Sequence, residues 1–152
     1  MTLPSTTPYV ALSYVWGKVP ALRALKSNMD GLRKYGALYK DDIKMPATIR
    51  DAMFLLKSLG ERFLWVDSLS VLQDQDKHEM NATLKAMARI YASAEFTIVA
   101  SYGTNADYGL RGVGGTALPR QPNEPSFHGW LSPAYPYDSI WATRGWSVHK
   151  IN

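Results

Sequence analysis

The fold of this chain is decided by residues 45–67, which read MPATIRDAMFLLKSLGERFLWVD. Pro46 suits a first helical turn, where its missing N–H costs nothing, and the apolar residues that follow recur at helical spacing until Gly60. Residues 63–66 are too short and too aromatic a run to form a helix. The stretch therefore predicts a helix, a tight turn and a buried strand, with the carboxylate of Asp67 at the end of that strand.

Two further apolar runs extend the same pattern. Residues 10–16 form a β-branched, apolar run that Gly17 ends, and residues 96–100 form another. Between the runs at residues 63–66 and 96–100, a polar stretch is followed by apolar residues at steps of three and four, which predict a helix over residues 80–91. Alternating strands and helices predict an α/β fold with a mostly parallel central sheet and flanking helices in three layers.

The remaining segments are less regular. Residues 22–32 also carry apolar residues at helical spacing, with Lys and Arg on the other side, and predict a helix despite Gly31. Residues 103–137 are rich in Gly and Pro and lack a sustained period. This composition predicts a long irregular loop in the C-terminal third.

Composition sets the broad class of the protein. With 152 residues, of which 46% are hydrophobic, the chain has enough apolar material for one globular domain over residues 1–152. It has no cysteine, which excludes disulfides, thiolate metal sites and a cysteine nucleophile, and is compatible with a cytoplasmic location. No run approaches the roughly 20 apolar residues of a membrane span. The sequence stops just after the expected start of a further helix, so we interpret it as a fragment or a short family member.

A net charge of +4 raises the question of a nucleic-acid partner. The basic residues of the first part of the chain are interleaved with five acids, namely Asp30, Asp41, Asp42, Asp51 and Glu61. Such interleaving is typical of solvated helix faces, so we expect no nucleic-acid partner. The histidines are too scattered to show metal-ligand spacing, and no metal site is predicted: His78, His128 and His149.

Candidate site residues follow from the predicted sheet, because parallel strands end at one edge and ligands bind there. That edge, called the rim below, gathers residues 13–17, 67–70 and 101–105. Asp67 is the strongest candidate, since a desolvated carboxylate can act as a base or hold a ligand hydroxyl. It can equally be a structural acid that caps the next segment or pairs with an arginine, for which Arg144 is the natural partner.

The tryptophans and a serine complete the candidate set. Trp16 can stack on a planar ligand or pack in the core, whereas Trp65 and Trp146 are predicted to pack. Ser70 is interpreted as a small packed residue. The expected ligand-binding rim thus consists of Ser13, Trp16, Gly17, Asp67 and Ser70, with Asp67 and Arg144 as the candidate catalytic residues.

Four phrases in fixed order carry a family resemblance: YVALSYVWG at 9–17, MPATIRDA at 45–52, FLWVDSLSVLQD at 63–74 and WATRGW at 141–146. Together they resemble the fungal heterokaryon-incompatibility (HET) domain over nearly the whole chain. The resemblance implies a signalling or interaction domain of non-self recognition, which triggers programmed cell death after unlike fungal cells fuse. It also implies protein partners or self-association, and a TIR-like or flavodoxin-like fold, since HET domains are distantly similar to TIR domains, some of which cleave NAD.

The last phrase departs from the family pattern. HET domains commonly continue Arg-Gly-Trp-Thr-Phe-Gln-Glu, and that glutamate resembles the catalytic acid of NAD-cleaving TIR domains. This chain places Lys150 at the acid's position, and Ser70 where the family usually has cysteine. A cation there opposes the positive charge that glycosidic cleavage develops, so the catalytic end is expected to be degenerate.

Two alternatives remain open beside this reading. The first is a TIR-like NAD glycohydrolase, with NAD as ligand or substrate, that uses Asp67 or an acid of the long loop such as Asp138. The second is a purely structural module whose active partner lay further along a longer chain.

Overall fold

The computed structural model describes residue 4, residues 6–40 and residues 43–113. In chain order the elements are β1 (Val10–Ser13), α1 (Met29–Leu32), a short 3-10 helix (Ala37–Tyr39), α2 (Ala47–Ser58), β2 (Leu64–Val66), α3 (Asp67–Ser70), α4 (Lys77–Ala92) and β3 (Thr97–Val99). The three predicted strands and the two longer predicted helices are confirmed, with ends that differ by a few residues.

The strands form one parallel sheet in the order β2-β1-β3. Ala11 in β1 lies opposite Trp65 in β2 and opposite Thr97 in β3. All four residues of the central strand are buried, as expected for a parallel strand with a neighbour on each side. The prediction of an α/β fold with a parallel central sheet and flanking helices is confirmed.

Helix α2 packs against β1 and β2 and supplies one side of the core. Ile49, Ala52 and Leu56 are spaced by three and four residues, so they share one face of the helix and meet Val10 and Leu12 of the central strand in the core. Burial of each of the larger side chains contributes about 1.5–3 kcal/mol.

Helix α4 is fixed at both ends by polar contacts. Its first turn is capped by Asp76, whose carboxylate accepts the backbone N–H of Glu79 at 2.9 Å, so the helix begins at Lys77, three residues before the predicted range. At the other end the Tyr91 hydroxyl donates to the Leu12 carbonyl at 3.2 Å. The Tyr91 ring also meets Trp65 edge to face, with centroids 5.3 Å apart, so Trp65 packs as predicted.

The helix predicted over residues 22–32 is wrong except for its last turn. Only Met29–Leu32 is helical, and the segment before it pairs with the chain that follows β2. Ala24 donates its N–H to the Ser68 carbonyl at 2.7 Å and accepts the N–H of Gln73 at 2.9 Å. These tertiary bonds occupy the backbone groups that a helix would use, and they override the helical spacing of the sequence.

The sequence predicts that Asp51 lies on a solvated helix face. This prediction is wrong. Asp51 is 1% exposed, and its carboxylate accepts the backbone N–H of Leu110 at 2.9 Å.

Where the structure describes the predicted long loop, at residues 103–113, it contains only turns and bends. Within the described part of the chain no helix is both long and apolar enough to cross a membrane.

Candidate functional site

The order of the strands indicates where a ligand crevice belongs. From the central strand the chain passes first to β2 on one side and then to β3 on the other. In open α/β sheets, ligands bind at the carboxyl ends of the strands where this reversal occurs. In this chain that position is the rim, beyond Ser13 and Val99.

Trp16 and Asp67 meet at the rim through a direct hydrogen bond. The indole Nε1 of Trp16 donates to both carboxylate oxygens of Asp67, at 3.0 and 3.1 Å. The carboxylate also accepts the backbone N–H of Ser68 at 2.7 Å, and Asp67 is only 7% exposed. Hydrogen bonds to an ionised carboxylate are roughly twice as strong as neutral ones, so this cluster fixes the orientation of the tryptophan ring.

Ser68 extends the cluster to the neighbouring strand. Its hydroxyl accepts the Tyr14 hydroxyl at 2.9 Å, and both residues are buried. Its carbonyl accepts the N–H of Ala24, as described above. Residues just beyond β1 and β2 are therefore joined by two side-chain contacts, one through Trp16 and one through Tyr14.

Arg23 lies against the ring of Trp16. The guanidinium carbon is 5.2 Å from the ring centroid, within the range of a cation–π contact. Such a contact contributes about 0.5–1 kcal/mol at an exposed site, and Arg23 is exposed. The guanidinium of Arg23 therefore places a positive charge at the rim, next to a half-buried aromatic ring and a buried carboxylate.

The loop after β3 closes on the same place. Its first residue, Ala100, donates to the Ser13 carbonyl at 2.8 Å, and Ala106 donates to the Trp16 carbonyl at 3.1 Å. Gly17 has φ +69°, and a Cβ atom there would stand 2.3 Å from the Cβ of Asn105. Only glycine fits this close approach.

The structure thus brings Ser13, Trp16, Gly17 and Asp67 to one rim, with unequal access to solvent. Ser13 is 1% exposed, so it forms part of the sheet end and not of the accessible surface. Trp16 is half-buried and Gly17 is exposed.

Ser70 lies elsewhere, and the prediction that it is a packed residue is wrong. It is exposed, and its hydroxyl accepts the N–H of Val66 at 3.4 Å. Ser70 lines a separate cavity of about 680 Å³ beside β2, whose walls are mainly apolar side chains such as Met53, Leu56 and Leu64. The turn of α3 that begins at Asp67 carries Ser70 to this side.

Comparison with protein-family models matches the chain to the family described as Heterokaryon incompatibility protein (HET), over residues 9–149. The match covers most of the chain. The chain belongs to this family. Comparison with curated proteins and with solved structures gives no match, so the assignment depends on the family match and ties the chain to heterokaryon incompatibility at the level of the family.

Three of the four HET phrases converge in the structure. The first phrase contains Tyr14 and Trp16 and ends at Gly17. The third phrase supplies their hydrogen-bond partners, because Asp67 accepts from Trp16 and Ser68 accepts from Tyr14. The second opens α2 and reaches the loop after β3 through Asp51. The fourth phrase, at residues 141–146, lies outside the described residues.

Several sequence-based candidates also lie outside the part of the chain that the structure describes, namely Arg144, Asp138, Lys150 and Trp146. The predicted pairing of Asp67 with Arg144 therefore stays a prediction. Among residues 6–40 and 43–113, no three His, Asp or Glu side chains are grouped so that they could hold a metal ion.

Sequence reasoning missed Asp51 in this HET chain, although a signal was present. Asp51 follows Ala47 by four residues and precedes Leu55 by four, so it lies in a row with two apolar side chains of α2. This spacing places Asp51 beside apolar side chains, and its carboxylate is indeed buried and needs a donor, which the backbone of Leu110 provides.

Proposed function

We propose that this chain is a signalling and interaction domain of heterokaryon incompatibility, which acts in the cytoplasm and triggers programmed cell death after fusion of unlike cells. In this proposal the rim around Trp16 is the surface that recognises a protein partner or a second copy of the chain. Family membership supports the link to incompatibility.

The observation that carries the proposal is the use of Asp67. Both carboxylate oxygens accept the Trp16 indole, and one of them also accepts the Ser68 N–H, at a position that is 7% exposed. A general base needs its carboxylate oriented towards a substrate proton. Here the carboxylate orients a tryptophan, which favours recognition over catalysis.

The second support comes from the sequence. Lys150 occupies the position at which the family commonly carries the glutamate that resembles a catalytic acid. A lysine there opposes the positive charge that builds on the ribose ring as a glycosidic bond breaks. We therefore propose that the domain signals without hydrolysing NAD.

Induced expression of the chain in a filamentous fungus, with survival scored by a vital dye, tests the proposal. We expect the unmodified chain to lower survival and Trp16→Ala to restore it, because this variant removes the side chain that the Asp67 cluster presents. Lys85→Ala is the matched control, since Lys85 is an exposed residue of α4. It should lower survival as the unmodified chain does.

Thermal unfolding of each purified variant separates loss of signalling from loss of fold. Full survival of cells that accumulate the folded, unmodified chain would contradict the proposal.

A further inference from the structure

The N-terminal turn of α2 binds the loop after β3 at four points. The N–H of Thr48 donates to the Ala106 carbonyl at 2.9 Å, and the Thr48 hydroxyl accepts the N–H of Gly109 at 3.1 Å. Asp51 accepts the N–H of Leu110, and the N–H of Ala47 donates to the Asp107 carboxylate at 3.4 Å. We call Thr48 and Asp51 the α2 clamp.

Both clamp side chains are buried, at 2% exposure for Thr48 and 1% for Asp51. Buried polar side chains in the first turns of a helix lower stability unless they are hydrogen-bonded. In this chain their partners are backbone groups of a segment that has no helix or strand of its own. The clamp therefore gives an irregular loop a defined position.

The clamped loop is in turn bonded to Trp16. Ala106, whose carbonyl accepts the Thr48 N–H, donates its own N–H to the Trp16 carbonyl. On the neighbouring residues, Gly17 touches Asn105 so closely that no side chain fits between them. A displacement of the loop by even one ångström would break the bond to Trp16 or force its backbone to follow.

We propose that Thr48 and Asp51 are positioning residues of the rim, which set the place of Trp16 through the loop at residues 105–110. The inference deepens the proposed function, since it concerns the same rim, but its physical content is independent of what the rim binds. Thr48 and Asp51 both belong to the second HET phrase, at residues 45–52. The proposal therefore assigns this phrase a role in positioning the rim, in addition to starting α2.

Hydrogen exchange measured by NMR on the full chain tests the proposal. In Thr48→Val the N–H of Gly109 loses its acceptor in a buried setting. We expect exchange of the Ala106 and Gly109 amides and of the Trp16 indole N–H to accelerate about tenfold or more. Amides of the sheet core at Leu12 and Ile98 should stay within about twofold of the unmodified chain.

Three further variants complete the test. Ser58→Ala is the matched control, because Ser58 lies at the opposite end of α2 and its hydroxyl only donates to the Phe54 carbonyl. It should change none of these rates. Asp51→Ala should accelerate the Leu110 amide and the Trp16 indole, while Asp51→Asn, which keeps an acceptor oxygen, should recover most of the protection.

Two results would overturn the proposal. One is faster exchange in the loop amides with an unchanged Trp16 indole, which would separate the loop from the rim. The other is equal acceleration of the loop and of Leu12 and Ile98, which would reduce the clamp to a general contribution to folding. Neither result depends on cell survival, so the proposed function can fail while the clamp stands, and the reverse.

Discussion

The indole nitrogen of Trp16 donates to both carboxylate oxygens of Asp67, and this bond joins the chain after β1 to the first residue of α3. The acid at the end of a buried strand, where ligand chemistry is expected in an open α/β sheet, thus acts on a neighbouring side chain. The consequence is a rim whose aromatic ring is held in one orientation.

Trp16→Phe should destabilise the fold. The variant keeps an aromatic ring but removes the indole N–H, so the buried carboxylate of Asp67 loses a donor, which costs about 1–3 kcal/mol. Urea unfolding followed by circular dichroism measures the free energy of unfolding. Tyr35→Phe is the control, since Tyr35 is exposed and its variant should stay within about 0.5 kcal/mol of the unmodified chain. Equal stability of the Trp16 variant would show that the bond contributes nothing.

Gly17→Ala should be much more damaging than Gly36→Ala. Both glycines have positive φ, at +69° and +74°, so each variant has a left-handed backbone cost of about 1–2 kcal/mol. A Cβ at position 17 would in addition stand 2.7 Å from the Cα of Asn105, whereas nothing lies within 4 Å at position 36. We expect a loss of at least about 3 kcal/mol for Gly17→Ala. Similar thermal midpoints for the two variants would contradict the close approach.

Asp51→Ala and Asp30→Ala compare two acids that look alike in the sequence. Asp51 is buried against the Leu110 N–H, whereas the Asp30 side chain is 98% exposed beside Arg33. Loss of the buried acceptor should cost about 1–3 kcal/mol in the free energy of unfolding. Loss of the exposed acid should change it by less than about 0.5 kcal/mol. Equal midpoints of chemical denaturation for the two variants would contradict the expected difference in stability.

The unmodified chain should release no measurable nicotinamide from NAD. If Lys150 stands in place of the catalytic acid, as proposed, it opposes the charge of the transition state, and each 1.4 kcal/mol of lost stabilisation lowers the rate about tenfold. Lys150→Glu should restore a trace of release. Chromatographic assay of nicotinamide decides the matter. Robust release by the unmodified chain, abolished in a folded Asp67→Asn variant, would favour the NAD glycohydrolase alternative.

The elements that the sequence predicts correctly are those whose signal is local. The strand at Leu64–Val66 and the helix at Ala47–Ser58 each bury one face, so hydrophobic spacing alone marks them. Hydrophobic spacing predicts the wrong structure for the segment around Ala24, because its hydrogen-bond partners Ser68 and Gln73 are far away in sequence.

In the candidate site, too, some features follow from the local sequence and others depend on distant contacts. The position of Asp67 at a strand end follows from the local pattern, and so does the rim on which Trp16 lies. The indole bond between them does not, because side-chain direction at a strand end depends on the loop that follows. The alternation of charges along the sequence indicates a solvated position for Asp51, whereas its burial depends on a backbone N–H of Leu110 that no local pattern reveals.

The position of β1 in the middle of the sheet has a consequence for synthesis. Val10 pairs with Leu64, and Ala11 pairs with Thr97, so β1 leaves the ribosome before both of its partners and receives the second one only when most of the described chain has been made. Until then an apolar run with unpaired backbone groups is exposed, which is the condition under which nascent chains aggregate or are held by chaperones. Pairings this distant along the chain also slow folding. The amount of folded protein in a cell should therefore respond to the rate of translation between residues 64 and 97.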